Sequence, residues 1–305
     1  MQMVTKSIQL MGTIIKLQIM STQGNPQQEM DWAIKQLKHY ENVFSANDDS
    51  SLLMQVNHAA GKRAVTVPRE LFWLIEVGKR YSLFEQSNLN IAIGPLVKLW
   101  HIGFQDAREP SDKEIQAKLA LTNPADIYLD ARTSRVYLDK PGMEIDLGAL
   151  AKGYFADQIA NGWKHDGVVS GMINLGGNVV VIGDHPHHED HHWIVGLQDP
   201  AKPQGQCIRC LKLRDQSIVT SGTYQRNLQV HHRFFHHLIN PQTGYPFTTD
   251  LASLSIISRK SLPGELWTSI LFGHSWEYIE QVVHKTAGIQ AIGIWQDGLT
   301  RDLFD

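Results

Sequence analysis

The 305-residue chain carries 42% hydrophobic residues, enough to bury a substantial core as one large domain or two small ones. Its formal charge of −3, with acidic and basic residues interspersed, leaves no broad electropositive footprint and so excludes nucleic acid as a partner. No apolar run approaches the ~18 to 20 residues of a membrane span, so no transmembrane segment is expected.

Residues 5 to 20 alternate like a half-buried strand, interleaving Lys6, Gln9, Lys16 and Gln18 with apolar positions, a strand pattern and not a signal peptide. Asn25-Pro26 introduces a helix with apolar residues at Met30, Ile34, Leu37, Val43 and Phe44, and a second helix is expected from Pro68 to about Phe84. The runs 127–129 and 136–138 flank Asp130-Ala131-Arg132-Thr133-Ser134, a β-hairpin signal. Another helix starts near Gly148 and passes through Lys152, Phe155 and Ile159, where apolar residues recur every three to four positions.

The chain then turns to strands, expected at Met172 to Ile182, Trp193 to Leu197, Cys207 to Leu213 and Leu251 to Ile257. A helix opened by Pro263, another around Trp276 to His284, and a strand from Ala291 to Trp295 close the sequence. Helices and strands mix without regular βαβ alternation, so the class is α+β, with mixed or antiparallel sheets flanked by helices. With no repeat, linker or boundary in evidence, residues 1 to 305 form one domain.

Several segments carry chemistry. His236-His237 directly precede Leu238-Ile239-Asn240-Pro241-Gln242-Thr243-Gly244-Tyr245-Pro246, where two prolines and a glycine fix backbone shape and hold two imidazoles in a defined direction. Asp146 stands before a predicted helix and Lys152 just inside it; together they suit an anion at a helix N-terminus, or else are a cap and a solvated lysine. Asn174-Leu175-Gly176-Gly177-Asn178 interrupts a strand pattern, by default as a bulge. Thr220-Ser221-Gly222-Thr223-Tyr224 reads as a turn or a binding loop.

Other clusters read as structure. Cys207 and Cys210 are the two cysteines and lie in a strand pattern with no second ligand pair at zinc spacing. The run His185-Pro186-His187-His188-Glu189-Asp190-His191-His192 is a solvated loop that would bind zinc or nickel adventitiously. His231-His232 belong to a turn before Phe234-Phe235.

Taken together, the motifs resemble the ApbE-type flavin transferase family, the FAD:protein FMN transferases. The resemblance runs over nearly the whole chain: Met11-Gly12-Thr13, Phe44-Ser45, Ser51, Asn57, Ile93-Gly94-Pro95-Leu96-Val97, Leu99-Trp100, Asp146-Leu147-Gly148-Ala149, Lys152-Gly153 and Asp157. It continues through Asn174-Leu175-Gly176-Gly177, Trp193, Gly196, Asp199-Pro200, Thr220-Ser221-Gly222, His237-Leu238-Ile239, Pro241, Thr243-Gly244-Tyr245-Pro246 and Thr268. No single element is specific; their number and order are.

The resemblance implies one compact domain that uses magnesium (Mg2+), binds FAD and transfers FMN to a threonine or serine hydroxyl of an acceptor flavoprotein, releasing AMP. It places the catalytic histidine at His237, with His236 as the substitute. It places flavin-binding residues at Met11, Asn47, Asn88, Leu89, Asn90, Asp146, Lys152 and the backbone of Leu238. Metal ligands fall on the carbonyl of Ala149, on Thr268, and on a slot four residues before Thr268 where an aspartate is expected. Magnesium prefers hard oxygens and keeps water or phosphate ligands, so two or three protein oxygens suffice.

The chain departs from the family pattern in that slot, which holds Gly264; Glu265, one residue along, is the expected replacement. Asn90 and Asn240 stand where aspartate is frequent, Ala92 where threonine is, and Thr223 where aspartate is. A flavin-binding protein that has lost transfer, or an FAD pyrophosphatase that releases free FMN and AMP, are the alternatives. A cytoplasmic location is expected if the chain is complete, and an extracytoplasmic, membrane-tethered one, common in the family, otherwise.

Overall fold

The computed structural model describes residues 3–230 and 233–304; the expected turn at His231-His232 lies outside them. Strands β1 (Val4–Leu10) and β2 (Thr13–Thr22) form a hairpin rather than the one strand expected over 5 to 20. Met11 and Gly12 turn the chain at φ of 53° and 67°, the left-handed geometry of a two-residue hairpin turn, and so tight a reversal leaves the apolar alternation unbroken in sequence. Helix α1 (Pro26–Phe44) follows, with the Asn25 side chain accepting from the Gln27 and Gln28 amides and Pro26 at its start.

Helix α2 (Leu52–His58), strand β3 (Val65–Thr66) and helices α3 (Arg69–Ser82), α4 (Gly94–Trp100) and α5 (Asp112–Leu119) come next. The predicted hairpin is present as β4 (Ile127–Asp130) and β5 (Arg135–Leu138). Helix α6 (Ala151–His165) leads into β6 (Val168–Leu175) and β7 (Asn178–Ile182). Gly176 and Gly177, at φ of 67° and 101°, are the hairpin turn between these two strands, so they neither bulge nor continue a strand over 172 to 182.

The ribbon β8 (Trp193–Gln198) and β9 (Cys207–Leu213) precedes β10 (Ser217–Gly222), which extends through Thr220-Ser221-Gly222 instead of turning there. After β11 (Asn227–Val230), β12 (Arg233–His236) and β13 (Leu251–Ser258), helix α7 (Ser261–Leu271) begins two residues before Pro263, which its first turn tolerates because that turn has no intrahelical amide bonds to lose. Helix α8 (Trp276–Lys285) and strands β14 (Ile289–Trp295) and β15 (Thr300–Leu303) complete the chain.

Eight strands form one sheet in the order β1-β2-β6-β7-β10-β13-β14-β15, every neighbour antiparallel. Helices α1, α6 and α7 bury one face in the main core, with Ile15, Leu17, Leu37, Ile159, Val180 and Ile270 among its members. The β8–β9 ribbon covers the other face through Trp193, Leu197, Leu211 and Leu213 packed on Val179, Val181 and Ile257. Central strands covered on both faces lose the alternation of half-buried ones, which is why β7 and β13 are buried at every position. This is the α+β arrangement that the sequence implies.

A third core, built from Leu96, Trp100, Ile102, Ile115, Phe235 and Ile239, anchors the segment around His236-His237. The histidine-rich loop after β7 is less free than expected: the His185 ring stacks on His188 with centroids 3.8 Å apart and meets Trp193 edge-on. Cys207 and Cys210 are exposed on β9 and unbridged. Among the described residues no group of three or more His, Cys, Asp or Glu is placed to hold a metal ion, and no helix is long and apolar enough to cross a membrane.

Candidate active site

Helix α7 starts where β13 ends, and its N-cap residue Lys260 makes no side-chain cap. Asp157 of α6 supplies it from 104 residues away: its carboxylate accepts from Ser261 N at 2.6 Å and from Leu262 N at 2.9 Å. Burial pushes the Asp157 carboxyl above the ordinary range, and the two amide bonds oppose that shift. The cap fixes the first turn of α7 against α6.

On that turn Glu265 is buried. A β-carbon at Gly153 would lie 2.6 Å from the Glu265 Cγ, so the glycine of α6 makes room for the glutamate stem. Glu265 Oε1 accepts from Asn178 Nδ2 at 3.0 Å, and Asn178 Oδ1 accepts from Ser261 Oγ at 2.5 Å. Lys152 Nζ lies 3.5 Å from the same Oε1 and donates to the Gly148 carbonyl at 3.3 Å. Thr268, fully buried, donates through Oγ1 to the Glu265 carbonyl at 3.2 Å. Among the described residues no hydrogen bond engages Glu265 Oε2, which leaves one carboxylate oxygen for a ligand.

Gly264 faces β10 instead. A β-carbon there would lie 2.6 Å from Val219 Cγ2, so residue 264 has no room for a side chain and Glu265 is the carboxylate that α7 directs toward Lys152. Asp146 is not the N-cap of α6, which is Leu150. It closes a local turn, Oδ1 accepting from Gly148 N at 2.7 Å. Desolvation raises the Asp146 carboxyl, against the Gly148 amide and the charge of Lys152. Ala149 is exposed beside them, just ahead of the helix.

The two histidines differ in their bonding. His236 is buried and both its nitrogens are used: Nδ1 accepts from Leu238 N at 3.2 Å, and Nε2 donates to the Phe247 carbonyl at 2.9 Å. It is a structural residue. His237 donates through Nδ1 to the Arg226 carbonyl at 3.3 Å, which leaves the Nε2 lone pair free. Desolvation pulls its pKa down to about 4; the Arg226 carbonyl opposes this, and the charges of Arg226 and Lys152 reinforce it. His237 is therefore a neutral imidazole at neutral pH, ready to accept a proton.

The loop after it is held by its own turn chemistry. Asn240 Oδ1 accepts from Gln242 N at 2.8 Å, Asn240 N donates to Tyr245 O at 2.8 Å, and Trp100 Nε1 donates to Gly244 O at 2.8 Å. At Gly244, φ of 78° and a β-carbon position 2.6 Å from Ile115 both require glycine. Asn90 accepts from Ala92 N and donates through Nδ2 to Thr122 O, both at 2.8 Å, a pairing an aspartate could not complete. Ala92 is in the core, and Thr223 is bonded to the Ala252 carbonyl.

The remaining expected flavin contacts are distributed around this centre. Met11 N donates to Glu41 Oε1 at 2.8 Å at the β1–β2 turn, and Asn88 Nδ2 donates to Phe272 O at 2.8 Å at the end of α7. Leu89 is buried in the core with its N–H and carbonyl both bonded to the Ser87 hydroxyl, at 3.1 and 3.3 Å, and Leu238 engages both backbone groups, with His236 Nδ1 and with Phe247 N. Asn47 is exposed, and among the described residues no hydrogen bond joins its side chain to the others. The sequence reading gave no role to Asn178, Ser261 or the carbonyl of Arg226; the Asn178 position directly after Gly176-Gly177 was the available signal.

A cavity of about 310 Å3 adjoins Ser87, Leu89, Asn90, Pro241 and Gln242, alongside the expected flavin contacts. A larger cavity, about 520 Å3, lies toward the C-terminal end of α6 and shares only Asp157 and Lys260 with the groups above. Neither of these two cavities is lined by His237 or Lys152; the smaller one reaches the expected flavin contacts only at Leu89 and Asn90.

The model of the ApbE family matches residues 11–293. The chain belongs to the ApbE family. A curated relative from Klebsiella pneumoniae (strain 342), named FAD:protein FMN transferase, is 44% identical over 237 residues, covering 78% of this chain and 72% of its own. Another of that name, from Treponema pallidum (strain Nichols), is 31% identical over 307 residues, covering 96% and 84%. Among solved structures, the ApbE protein of Thermotoga maritima superposes with a TM-score of 0.89 at 24% identity, over 98% of this chain and 96% of that one. The flavin transferase ApbE from Vibrio cholerae superposes with a TM-score of 0.82 at 22% identity, over 99% and 96%. The ApbE fold thus extends over nearly the whole chain, the α7 corner included.

Proposed function

We propose that this ApbE-family chain transfers FMN from FAD to a threonine or serine hydroxyl of an acceptor flavoprotein and releases AMP. The observation that carries this reading is His237, neutral and with Nε2 unbonded, in the field of Lys152. In the proposed step the acceptor hydroxyl oxygen bonds to the FMN phosphorus while the bond from that phosphorus to the bridging oxygen breaks. The hydroxyl proton passes to His237 Nε2, and AMP departs with the bridging oxygen. Lys152 supplies positive charge to the diphosphate as negative charge builds on the leaving phosphate. The acceptor provides the nucleophile, so the enzyme needs none.

Glu265, the Thr268 hydroxyl and the Ala149 carbonyl would make a hard-oxygen donor set that suits magnesium, and the Glu265 Oε2 that no hydrogen bond engages among the described residues supports that fit. Bound there, the ion would neutralise diphosphate charge. Lys152 would orient the phosphates at the start of α6, Asp146 shapes the turn ahead of it, and His237 would hold the proton. The purified chain, incubated with FAD and magnesium, should make an acceptor domain covalently fluorescent. FAD binding without label, or free FMN appearing without acceptor, would assign the chain instead to flavin binding alone or to FAD hydrolysis.

A further inference from the structure

Arg226 is exposed just before β11, and among the described residues no carboxylate pairs with it, as with Arg63, Arg259 and several other arginines, whereas Arg108, Arg209, Arg214 and Arg233 each have one. Its side chain is nonetheless placed. A β-carbon on Gly103 would lie 3.0 Å from its Cδ, and one on Gly12 would lie 3.5 Å from its Nη2. The stem therefore passes Gly103, and the guanidinium ends at the Met11-Gly12 turn. The backbone of the same residue holds the base: its carbonyl accepts from His237 N at 3.2 Å and from His237 Nδ1 at 3.3 Å.

We propose that the Arg226 guanidinium binds a diphosphate oxygen of FAD, beside the general base His237. This rests on the transfer reading above. An arginine fork without a carboxylate, fixed between a turn and a general base, matches the geometry of a phosphate donor, since guanidinium offers paired N–H groups to an anionic oxygen pair. Anchoring His237 through the backbone of the phosphate-binding residue keeps base and phosphate in register. The sequence hides the role because Arg226 lies in a polar stretch between strands, two residues past the run 220–224.

The test uses the full chain with two probes: ADP, a diphosphate without flavin, and riboflavin, a flavin without phosphate. Calorimetry should show Arg226→Ala weakening ADP at least tenfold while riboflavin affinity stays unchanged. Arg226→Lys should recover part of the ADP loss, and KM for FAD should rise more than kcat falls. Arg226→Gln, which keeps the stem without the charge, should behave as the alanine variant and stands in for it if that variant fails to fold. Unchanged ADP affinity, or equal losses for ADP and riboflavin, would overturn the proposal. If the wild-type chain labels no acceptor, the transfer reading falls, and the ADP and riboflavin contrast still decides Arg226; if it labels acceptor and the variants do so equally, only the arginine proposal falls.

Discussion

The histidine loop and the first turn of α7 border the same candidate site, yet they are built in opposite ways. Residues 236–246 are shaped mostly from within: Asn240 closes its own turn, Gly244 takes the left-handed φ, and His236 uses its ring to brace Leu238 and Phe247. The α7 turn is shaped from outside, by Asp157, Gly153 and Asn178, each 83 to 112 positions away in the chain by residue number. Local turn chemistry fixes the loop from its own residues, whereas a turn held by distant partners directs its carboxylate by packing, as Gly264 on Val219 and Glu265 over Gly153 illustrate.

The contrast breaks most visibly at His237. Replacing it with alanine should lower acceptor labelling by about 10^2 to 10^4-fold, while FAD binding persists. The acid limb of the wild-type rate should lie well below the ordinary histidine value of 6.5, toward about 4. Because the folded pKa is depressed, the unfolded chain takes up the proton first as pH falls through that window. Folding stability should therefore decline between pH 6.5 and 4, and His237→Ala should flatten that decline in a thermal melt series.

A smaller effect probes the corner. Restoring an aspartate with Gly264→Asp should not strengthen the site but destabilise the fold by about 1–3 kcal/mol, because the new β-carbon meets the stiff Val219 side chain. Chemical denaturation would measure this, and adding Val219→Ala should recover less than its own cavity cost if the clash is the cause. A Gly264→Asp variant as stable as wild type would remove the packing explanation for the shifted carboxylate. The smallest effect is expected for Asp157→Ala, which strips the α7 cap and should cost about 1–2 kcal/mol in the same assay.

The same division explains what was legible. Long helices such as α1 and α3 announce themselves by apolar spacing and by Asn25 or Pro68, and β9 runs over the expected residues because turns bound it. The β1–β2 and β6–β7 hairpins were read as single strands because two-residue turns leave the alternation intact. His237 could be favoured over His236 only by resemblance; the physical reason, that His236 spends both nitrogens on backbone groups, needed the three-dimensional partners. Asn178 and Ser261 gave no sign of their part, since a relay between strand β7 and helix α7 has no local signature.

The bond from Asp157 to the amides of α7 also bears on how the protein comes off the ribosome. Synthesis proceeds from the N-terminus, so α6 exists long before residues 261 and 262 emerge, and until then its carboxylate has no amides to receive. The first turn of α7 is thus among the last places to assemble. A nascent or truncated chain ending before α7 carries Lys152 without the buried Glu265 that faces it in the folded protein.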